Sequence, residues 1–354
     1  MHLMKQRTWG MILCLLLSAL GSVQALAEAP PVLTFAQAVE LMNEHNIALQ
    51  IAQLNLELAE LDYQKAAAAN LLSSSQQSEL QAQHSLARAK NTYLTAKRSN
   101  YLEMFRAYND VLAARRTLEI RELERILAEH NYSIIQEKVR LGDAGRLEDL
   151  QELNRVEAAR RNELTAQQNL AERERHFRRL TGLAEDAALV LQADFPLPNL
   201  ELSLEESIEL GLQNSFSLYD QQFNLQLQER QLEAARLERS APIDLQRAEL
   251  SIKVSRLNLE QERASLVENI TSAYHALADS RARLTSSQRD WEIAQETYEI
   301  YRQQAEAGLI TEMQLLQQRI ALLNSQHSLE EAKVAYLVSF LQFQHLLGLD
   351  GDLQ

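Results

Sequence analysis

The sequence predicts an all-α protein built from two tandem copies of one unit that contains a very long helix. The segment 33–183 is repeated at 202–349, and the copies begin with matching stretches at 33–41 and 202–210. After residue 32 the composition is dominated by Leu, Ala, Gln, Glu and Arg, which is typical of long helices and coiled coils. Glycines and prolines there fall almost entirely between helical runs. A repeat of this length indicates an array of one structural unit.

Each copy is predicted to contain a short helix, a medium helix, a long helix and a second medium helix. Apolar residues at helical spacing, and the turn residues between them, define these elements. Thr34 is expected to be the N-cap of the first helix. The predicted helices of the first copy cover 34–44, 46–72, 76–141 and 146–180, with turns at 73–75 and 142–145. The second copy repeats this order, with turns at 239–242 and at Gly308.

The long helices carry an apolar residue at nearly every seventh position, which predicts coiled-coil packing. A helix of about 65 residues extends about 100 Å, so we expect a rod in which the shorter helices lie end to end along the long one. Leu102, Ile120 and Ile135 lie outside the main stripe and indicate lateral contact with further helices, most simply in a homo-oligomer. The heptad residues expected in the core of the second copy are Ile270, Leu277, Leu284, Trp291 and Tyr298.

The N-terminus has the pattern of a secretory signal peptide over residues 1–27. Lys5 and Arg7 precede a short apolar stretch, and a small-x-small cleavage site follows it. The apolar stretch is too short for a membrane-spanning helix. Cys14, the single cysteine, lies inside this segment, so disulfides and thiolate metal sites are not expected elsewhere. The predicted division of the rest is a first helical repeat at 28–190, a linker at 191–201 and a second repeat at 202–350.

Charge and motifs argue against several classes of function. The net charge of −14 disfavours nucleic acid or anionic lipid as the main partner, because both need a basic face. The histidines are scattered and show neither an HExxH motif nor i, i+4 pairs, so no metal site is expected. Phosphate-binding loops and nucleophile elbows are missing, and pairs of acidic residues on long helices are interpreted as solvated. We therefore predict no cofactor and no enzymatic activity.

Several segments together resemble the TolC-like outer-membrane efflux proteins. They are 33–41 with 46–50, the Ala-Tyr stretch 107–114, the turns 141–151 and 307–317, and the glycine stops near 182 and 348. The resemblance implies a homo-trimer whose helices form a periplasmic tunnel and whose protomers each add four strands to an outer-membrane β-barrel.

Those strands would lie at 72–80 and 237–246. A membrane strand needs about 9–11 alternating residues, which neither segment supplies. The sequence therefore predicts the tunnel protomer, an α-barrel protomer, without membrane β-strands.

The resemblance also implies where partners would bind. The two turns at the end of the long helices would dock a periplasmic adaptor, or membrane fusion protein, that works with an inner-membrane pump. Glu148 would face the lumen as a gate residue; the alternative is a solvated acid favoured by the helix dipole. The corresponding gate positions of the second copy hold the neutral Gln314 and Gln317. The candidate docking residues are Gly142, Asp143, Gly308 and Leu309.

The function predicted from the resemblance is an efflux or secretion component of the cell envelope. It would form an oligomeric helical tunnel or rod in the periplasm that conducts passively or docks in an export complex, and outer-membrane association rests on the resemblance alone. The alternative is a structural spacer or scaffold of the envelope with no transport activity. A periplasmic adaptor is less favoured, because adaptors flank their helical hairpin with Val- and Gly-rich β domains, and this sequence has none.

Overall fold

The computed structural model describes residues 32–73, 76–185, 188–192, 195–199 and 201–349. Within them the chain folds into two copies of a four-helix unit, which confirms the predicted all-α repeat. The proposed signal peptide, residues 1–27, lies outside this part of the chain. The elements are β1 (Val32–Leu33), α1 (Phe35–His45), α2 (Ile47–Ser73), α3 (Gln76–Leu141), α4 (Arg146–Thr181), β2 (Val190–Leu191), α5 (Leu204–Asn214), α6 (Phe216–Leu237), α7 (Pro242–Glu306) and α8 (Glu312–Leu346).

Two long helices set the length of the molecule. Helices α3 and α7 contain 66 and 65 residues, so each extends about 100 Å. Helices α2 and α4 pack along α3, while α6 and α8 pack along α7, which confirms that the shorter helices lie end to end beside the long one. Helix α3 also packs on α8 and touches α6, and this contact joins the two repeats. Among the described helices, none is long and apolar enough to cross a membrane.

The short helix of each repeat begins with the same capping box. The Thr34 hydroxyl oxygen accepts a hydrogen bond from the Gln37 amide at 3.3 Å, and the Gln37 side chain accepts one from the Thr34 amide at 3.0 Å. Ser203 and Glu206 repeat this arrangement at α5. The Ser203 amide donates to the Glu206 carboxylate, and this hydrogen bond lowers the pKa of Glu206. Thr34 is therefore the N-cap that the sequence predicted.

The core of the first repeat closes around Tyr108, which is fully buried near the middle of α3. Its hydroxyl donates to the carbonyl of Leu33 at 2.7 Å and accepts from the amide of Gln192 at 2.8 Å. It thus bridges the parallel pair β1–β2, in which Val32 lies opposite Val190. Burial raises the pKa of this phenol. The core lies where α1, α3, α4 and the linker strand meet.

The second core confirms part of the predicted heptad and corrects the rest. Ile270 and Leu277 are fully buried in a cluster with Tyr336, Phe340 and Phe343. Further along the helix the expected core is only partly confirmed: Leu284 still packs against this cluster, whereas Trp291 and Tyr298 are not among the residues that pack on it. The half-buried members of the heptad are Leu284, Trp291 and Tyr298.

Ile120 corrects a second expectation. It is predicted to mark lateral contact with further helices, most simply those of a second copy, yet only 3% of it is exposed within the single chain. It lies next to Glu119, whose carboxylate is 3.8 Å from the guanidinium of Arg319 in α8. Ile120 is therefore used in packing within the chain, while Leu102 and Ile135 stay half-buried.

Candidate functional site

The first candidate site is the turn that ends α3. Gly142 adopts a left-handed conformation with φ of 85°. Its amide donates to the carbonyl of Val139 at 3.1 Å, and the amide of Asp143 donates to that of Lys138 at 2.8 Å. These two hydrogen bonds form a Schellman motif, which needs a residue that tolerates positive φ. The turn confirms the predicted helix stop and leaves Asp143 exposed to solvent.

The turn that ends α7 has the same construction. Gly308 has φ of 68°, its amide donates to Ala305 at 3.0 Å, and the amide of Leu309 donates to Gln304 at 2.9 Å. A Cβ atom at Gly142 or Gly308 would meet nothing within 4 Å. Glycine is therefore favoured at both positions by the positive φ and not by a lack of space. The turn presents Leu309 with 75% of its surface exposed.

Both turns lie at the same end of the rod. Phe105 of α3 shares a cluster with Leu337 and Leu341 of α8, and further along α3 Glu119 lies beside Arg319. Residue numbers therefore rise along α3 as they fall along α8, and the two helices are antiparallel. Because α8 is also antiparallel to α7, both long helices run to one end. We call this end the tip, defined by residues 141–148 and 307–314.

The helices that leave the tip are capped differently in the two repeats. Thr311 caps α8: its amide donates to the Gln314 side chain at 2.9 Å, and its hydroxyl accepts from the Gln314 amide at 3.2 Å. The corresponding N-cap of α4 is Gly145, which has no capping side chain. The capping box at Thr311 was missed by the sequence analysis, although the Thr-x-x-Gln pattern is its signature.

This difference determines what Glu148 can do. Glu148 occupies the position of Gln314, but no hydroxyl at Gly145 engages it. Its side chain is exposed and has neither a hydrogen bond nor an ion pair with the residues that the structure describes. Gln314, in contrast, uses its amide in the cap. The tip therefore presents one unengaged carboxylate per chain at this position.

The second candidate site is a pair of exposed apolar stripes. One runs along α2, with members spaced by four, three, four and three residues and each between 53% and 70% exposed: Ile47, Ile51, Leu54, Leu58 and Leu61. The other runs along α7, with members between 57% and 70% exposed: Ile243, Leu250, Val254 and Leu257. We call them the α2 stripe and the α7 stripe. Such spacing is that of a coiled-coil seam, and within the part of the chain that the structure describes both stripes are exposed to solvent.

The two stripes lie at opposite edges of the molecule. Helix α2 packs on α1 and α3, whereas α7 packs on α5, α6 and α8. The order across the rod is therefore α2 with α4, then α3, then α6 with α8, then α7. A surface of this kind at each edge is complementary to a second copy placed beside the first.

Part of the second repeat matches a known protein family. Residues 238–349 match the family model described as outer membrane efflux protein. The match covers α7, the tip turn at Gly308 and α8, and the repeat carries the same architecture into the first half of the chain. The efflux-protein family is one of channels and not of enzymes.

Solved structures show that the fold extends over nearly the whole chain. The outer membrane channel CmeC of Campylobacter jejuni aligns with a TM-score of 0.60 at 14% identity, over 90% of this chain and 87% of that one. The outer membrane protein VceC of Vibrio cholerae gives 0.59 at 13%, over 89% and 96%. A membrane protein from Pseudomonas aeruginosa gives 0.61 at 13%, over 89% and 90%. Among curated proteins, no match to this sequence was found.

Proposed function

We propose that this chain assembles into a helical tunnel, a homo-trimer, that serves as a passive conduit in an efflux or secretion complex. The observation that carries the proposal is the pair of unpartnered apolar stripes on α2 and α7. Burying a leucine or isoleucine side chain contributes about 1.5–3 kcal/mol, so two stripes of four or five residues suffice for a stable contact. Because the stripes differ and lie on opposite edges, copies would join head to tail and close a ring.

The internal repeat supplies the register of this contact. Helix α7 is the repeat equivalent of α3, and α2 is that of α6, so the contact between chains copies the contact between α3 and α6 within one chain. With the shift of 166 residues, His84 and Arg88 correspond to Leu250 and Val254. With the shift of 169 residues, Asp220 corresponds to Ile51. Since Asp220 contacts His84 and Arg88, we expect Ile51 of one copy to contact Leu250 of the next.

The tip is proposed as the docking end. Gly142, Asp143, Gly308 and Leu309 form two exposed turns that a periplasmic adaptor could bind, with an inner-membrane pump beyond it. In a trimer the unengaged Glu148 would supply three carboxylates around one opening, which attract cations and disfavour anions. Gln314, held in its cap, adds no charge to that ring.

We propose a location in the cell envelope. The support is the match to the efflux-protein family at 238–349, together with the fold shared with outer membrane proteins. Residues 1–27 would direct export as a cleaved signal peptide, leaving repeats at 28–190 and 202–350 joined by the linker 191–201. The second candidate function is a spacer or scaffold of the envelope, which the length of the rod would also suit.

Cross-linking tests the assembly. Ile51→Cys and Leu250→Cys are combined in a chain whose Cys14 is replaced by Ala, and a short bismaleimide is added. We expect covalent species up to three times the mass of the chain. The matched control pairs Gln53→Cys with Leu250→Cys, since Gln53 is exposed on α2 but lies off the stripe. Equal cross-linking by the control pair, or none by either pair, would contradict the proposed seam.

An export assay distinguishes the conduit from the scaffold. A strain that lacks the protein is compared with strains carrying the intact chain or a chain with Leu58→Glu, which places a charge in the α2 stripe. A conduit should lose export when the ring fails to form, while Gln53→Glu on the same helix should retain it. Normal export by the Leu58→Glu chain, against a clear defect in the deletion strain, would favour the scaffold.

A further inference from the structure

A polar cluster joins the two repeats in the half of the rod away from the tip. Oδ1 of Asp220 in α6 accepts a hydrogen bond from Nη2 of Arg88 in α3 at 2.7 Å. The same oxygen lies 2.9 Å from Nε2 of His84. The second carboxylate oxygen accepts from the Asn224 amide at 3.3 Å. One carboxylate of the second repeat thus accepts a hydrogen bond from Arg88 of the first repeat and lies against the His84 imidazole.

The cluster is fixed on an aromatic support. The His84 imidazole stacks on Phe223 with ring centroids 3.9 Å apart and an interplanar angle of 8°. Only 8% of His84 is exposed, so its ring has little freedom to move. The hydrogen bond from Arg88 holds the pKa of the Asp220 carboxyl below its ordinary value, so the group stays ionised at neutral pH.

Around this cluster the two repeats are poorly packed. A groove of about 600 Å³ lies between α2, α3 and α6, with Ala52, Ser85 and Thr92 among its lining residues. A second groove of about 270 Å³ continues between α3 and α6 beside Leu80 and Leu227. Towards the tip the contact is different, because Phe105, Leu337 and Leu341 pack in an apolar cluster between α3 and α8. The repeats are therefore held by apolar packing in one half and by a polar cluster in the other.

The internal repeat allows the contact between α3 and α6 to be compared with the proposed contact between chains. At the corresponding positions of the α2 and α7 stripes the cluster residues are replaced by Ile51, Leu250 and Val254. At these three positions a seam between chains would be apolar, whereas the seam within a chain carries polar and charged side chains there. Charged contacts can be released without exposing a large apolar surface, which an apolar seam cannot do.

We infer that His84, Arg88 and Asp220 form a clasp that sets the spacing of the two repeats at the end away from the tip. With the clasp closed, α6 is held against α3 and the groove between them is narrow. With the carboxylate neutralised, α6 and the adjoining part of α7 move away from α3 and the groove widens. The clasp lies within one chain, so it operates whether or not the proposed ring forms.

The distance across the groove tests the clasp. Spin labels are placed at Gln77→Cys in α3 and Gln231→Cys in α6, two lining residues on opposite sides, with Cys14 replaced by Ala. Labelled chains are diluted with unlabelled chains so that pairs within one chain are measured by pulsed dipolar spectroscopy. We expect a single narrow distance with the native cluster. Asp220→Asn should give a broader distribution that extends to longer distances.

Matched variants distinguish the effect of opening the clasp from the effect of losing any ion pair. Glu229→Gln removes an exposed ion pair of α6 with Arg256, at 2.7 Å, inside the second repeat, and should leave the distance unchanged. Arg88→Gln should widen the distance as Asp220→Asn does, whereas Arg88→Lys should keep it narrow. A label pair at Glu119→Cys and Arg319→Cys, across α3 and α8, should not respond.

Three results would overturn the inference. The first is an unchanged Gln77–Gln231 distance in both Asp220→Asn and Arg88→Gln. The second is an equal change in Glu229→Gln. The third is loss of helical structure in both clasp variants, measured by circular dichroism, because a device that sets spacing is not needed to form the helices.

Discussion

Gly211 of α5 packs so closely on Ile270 of α7 that a Cβ atom at 211 would lie 2.4 Å from Cδ1 of the isoleucine. The corresponding residues of the first repeat are Met42 and Met104, which share one buried cluster. The same junction between the short helix and the long helix is thus filled in two ways. In one repeat both positions hold flexible methionines, and in the other a missing side chain accommodates a rigid one.

Gly211→Ala should therefore destabilise the protein, although alanine is the better helix former by about 1 kcal/mol. Overpacking a filled core costs about 1–3 kcal/mol, and Ile270 is fully buried with little room to move. Thermal or urea unfolding measures the effect. Ile270→Val removes the clashing methyl group, so the double variant should be more stable than the sum of the two single changes. Strict additivity would show that the two residues do not share this space.

Arg239 at the α6–α7 turn is the next target. It is the non-glycine residue with positive φ, 57°, among the described residues, and it stands where a helix stop usually has glycine. Replacing it with glycine should raise the free energy of unfolding by about 1 kcal/mol, because an L residue is strained there. Glu238→Gly, one residue earlier at φ of −74°, serves as control and should not stabilise. A destabilised Arg239→Gly chain would mean that the arginine side chain contributes more than its backbone strain costs.

The cap difference at the tip gives a test of Glu148. Gly145→Ser would place a hydroxyl at the N-cap with Glu148 three residues on, which completes a capping box and engages the carboxylate. Stability should rise by a few tenths of a kcal/mol. If Glu148 acts in a ring of carboxylates, this variant and Glu148→Gln should both reduce the preference of reconstituted channels for cations. An unchanged ion preference in both variants would leave Glu148 as a solvated residue of the first helical turn.

The tip turns themselves should separate folding from docking. Replacing Asp143, Glu148, Thr311 and Glu312 together should abolish export while helical content and oligomeric state persist, because exposed residues shift stability by about 0.5 kcal/mol or less. Thr311 is the exception within this set, since losing its cap costs about 1 kcal/mol. Gly142→Val should instead impair folding of the turn, because a β-branched residue resists positive φ. Full export by the chain with four replacements would argue against docking at the tip.

The stability provided by Asp220 should depend on pH in a defined direction. Its pKa is lowered in the folded chain from an ordinary value of 3.8, chiefly by the hydrogen bond from Arg88. A lowered folded pKa gives stability that is present above the unfolded pKa and is lost as pH falls through the folded pKa. The difference in urea midpoint between the native chain and Asp220→Asn should therefore be largest near neutral pH and shrink at acidic pH. A difference that is constant from pH 7 to pH 3 would contradict this assignment.

Helix limits proved predictable because local chemistry sets them. The first long helix was predicted over 76–141 and is observed over the same residues, since its end is marked by Gly142 and the following turn. Burial was less predictable. The heptad identified the apolar face of α7 but not which helices cover it, so Leu277 is buried while Trp291, in the same phase, is not.

The residues that join distant parts of the chain could not be found from spacing. His84 and Asp220 are far apart in sequence. The residues around each of them predict only a polar side chain on a solvent-exposed helix. The absence of a histidine motif said nothing about a single imidazole stacked on Phe223. The spacing of Leu54, Leu58 and Leu61 places them on one face of α2, but spacing does not indicate that this face is exposed.

The bridge made by Tyr108 has a consequence for the order of folding. Its hydroxyl donates a hydrogen bond to Leu33, at the start of the first repeat. It accepts another from Gln192, which lies beyond the last helix of that repeat. Arg115 reaches the same late segment by donating to the carbonyl of Leu189 at 2.7 Å. A nascent chain that ends at residue 183 therefore has all four helices of the first repeat but lacks the strand that closes its core. We expect chain growth past residue 192 to convert a loosely packed intermediate into a cooperatively folded unit, before the second repeat exists.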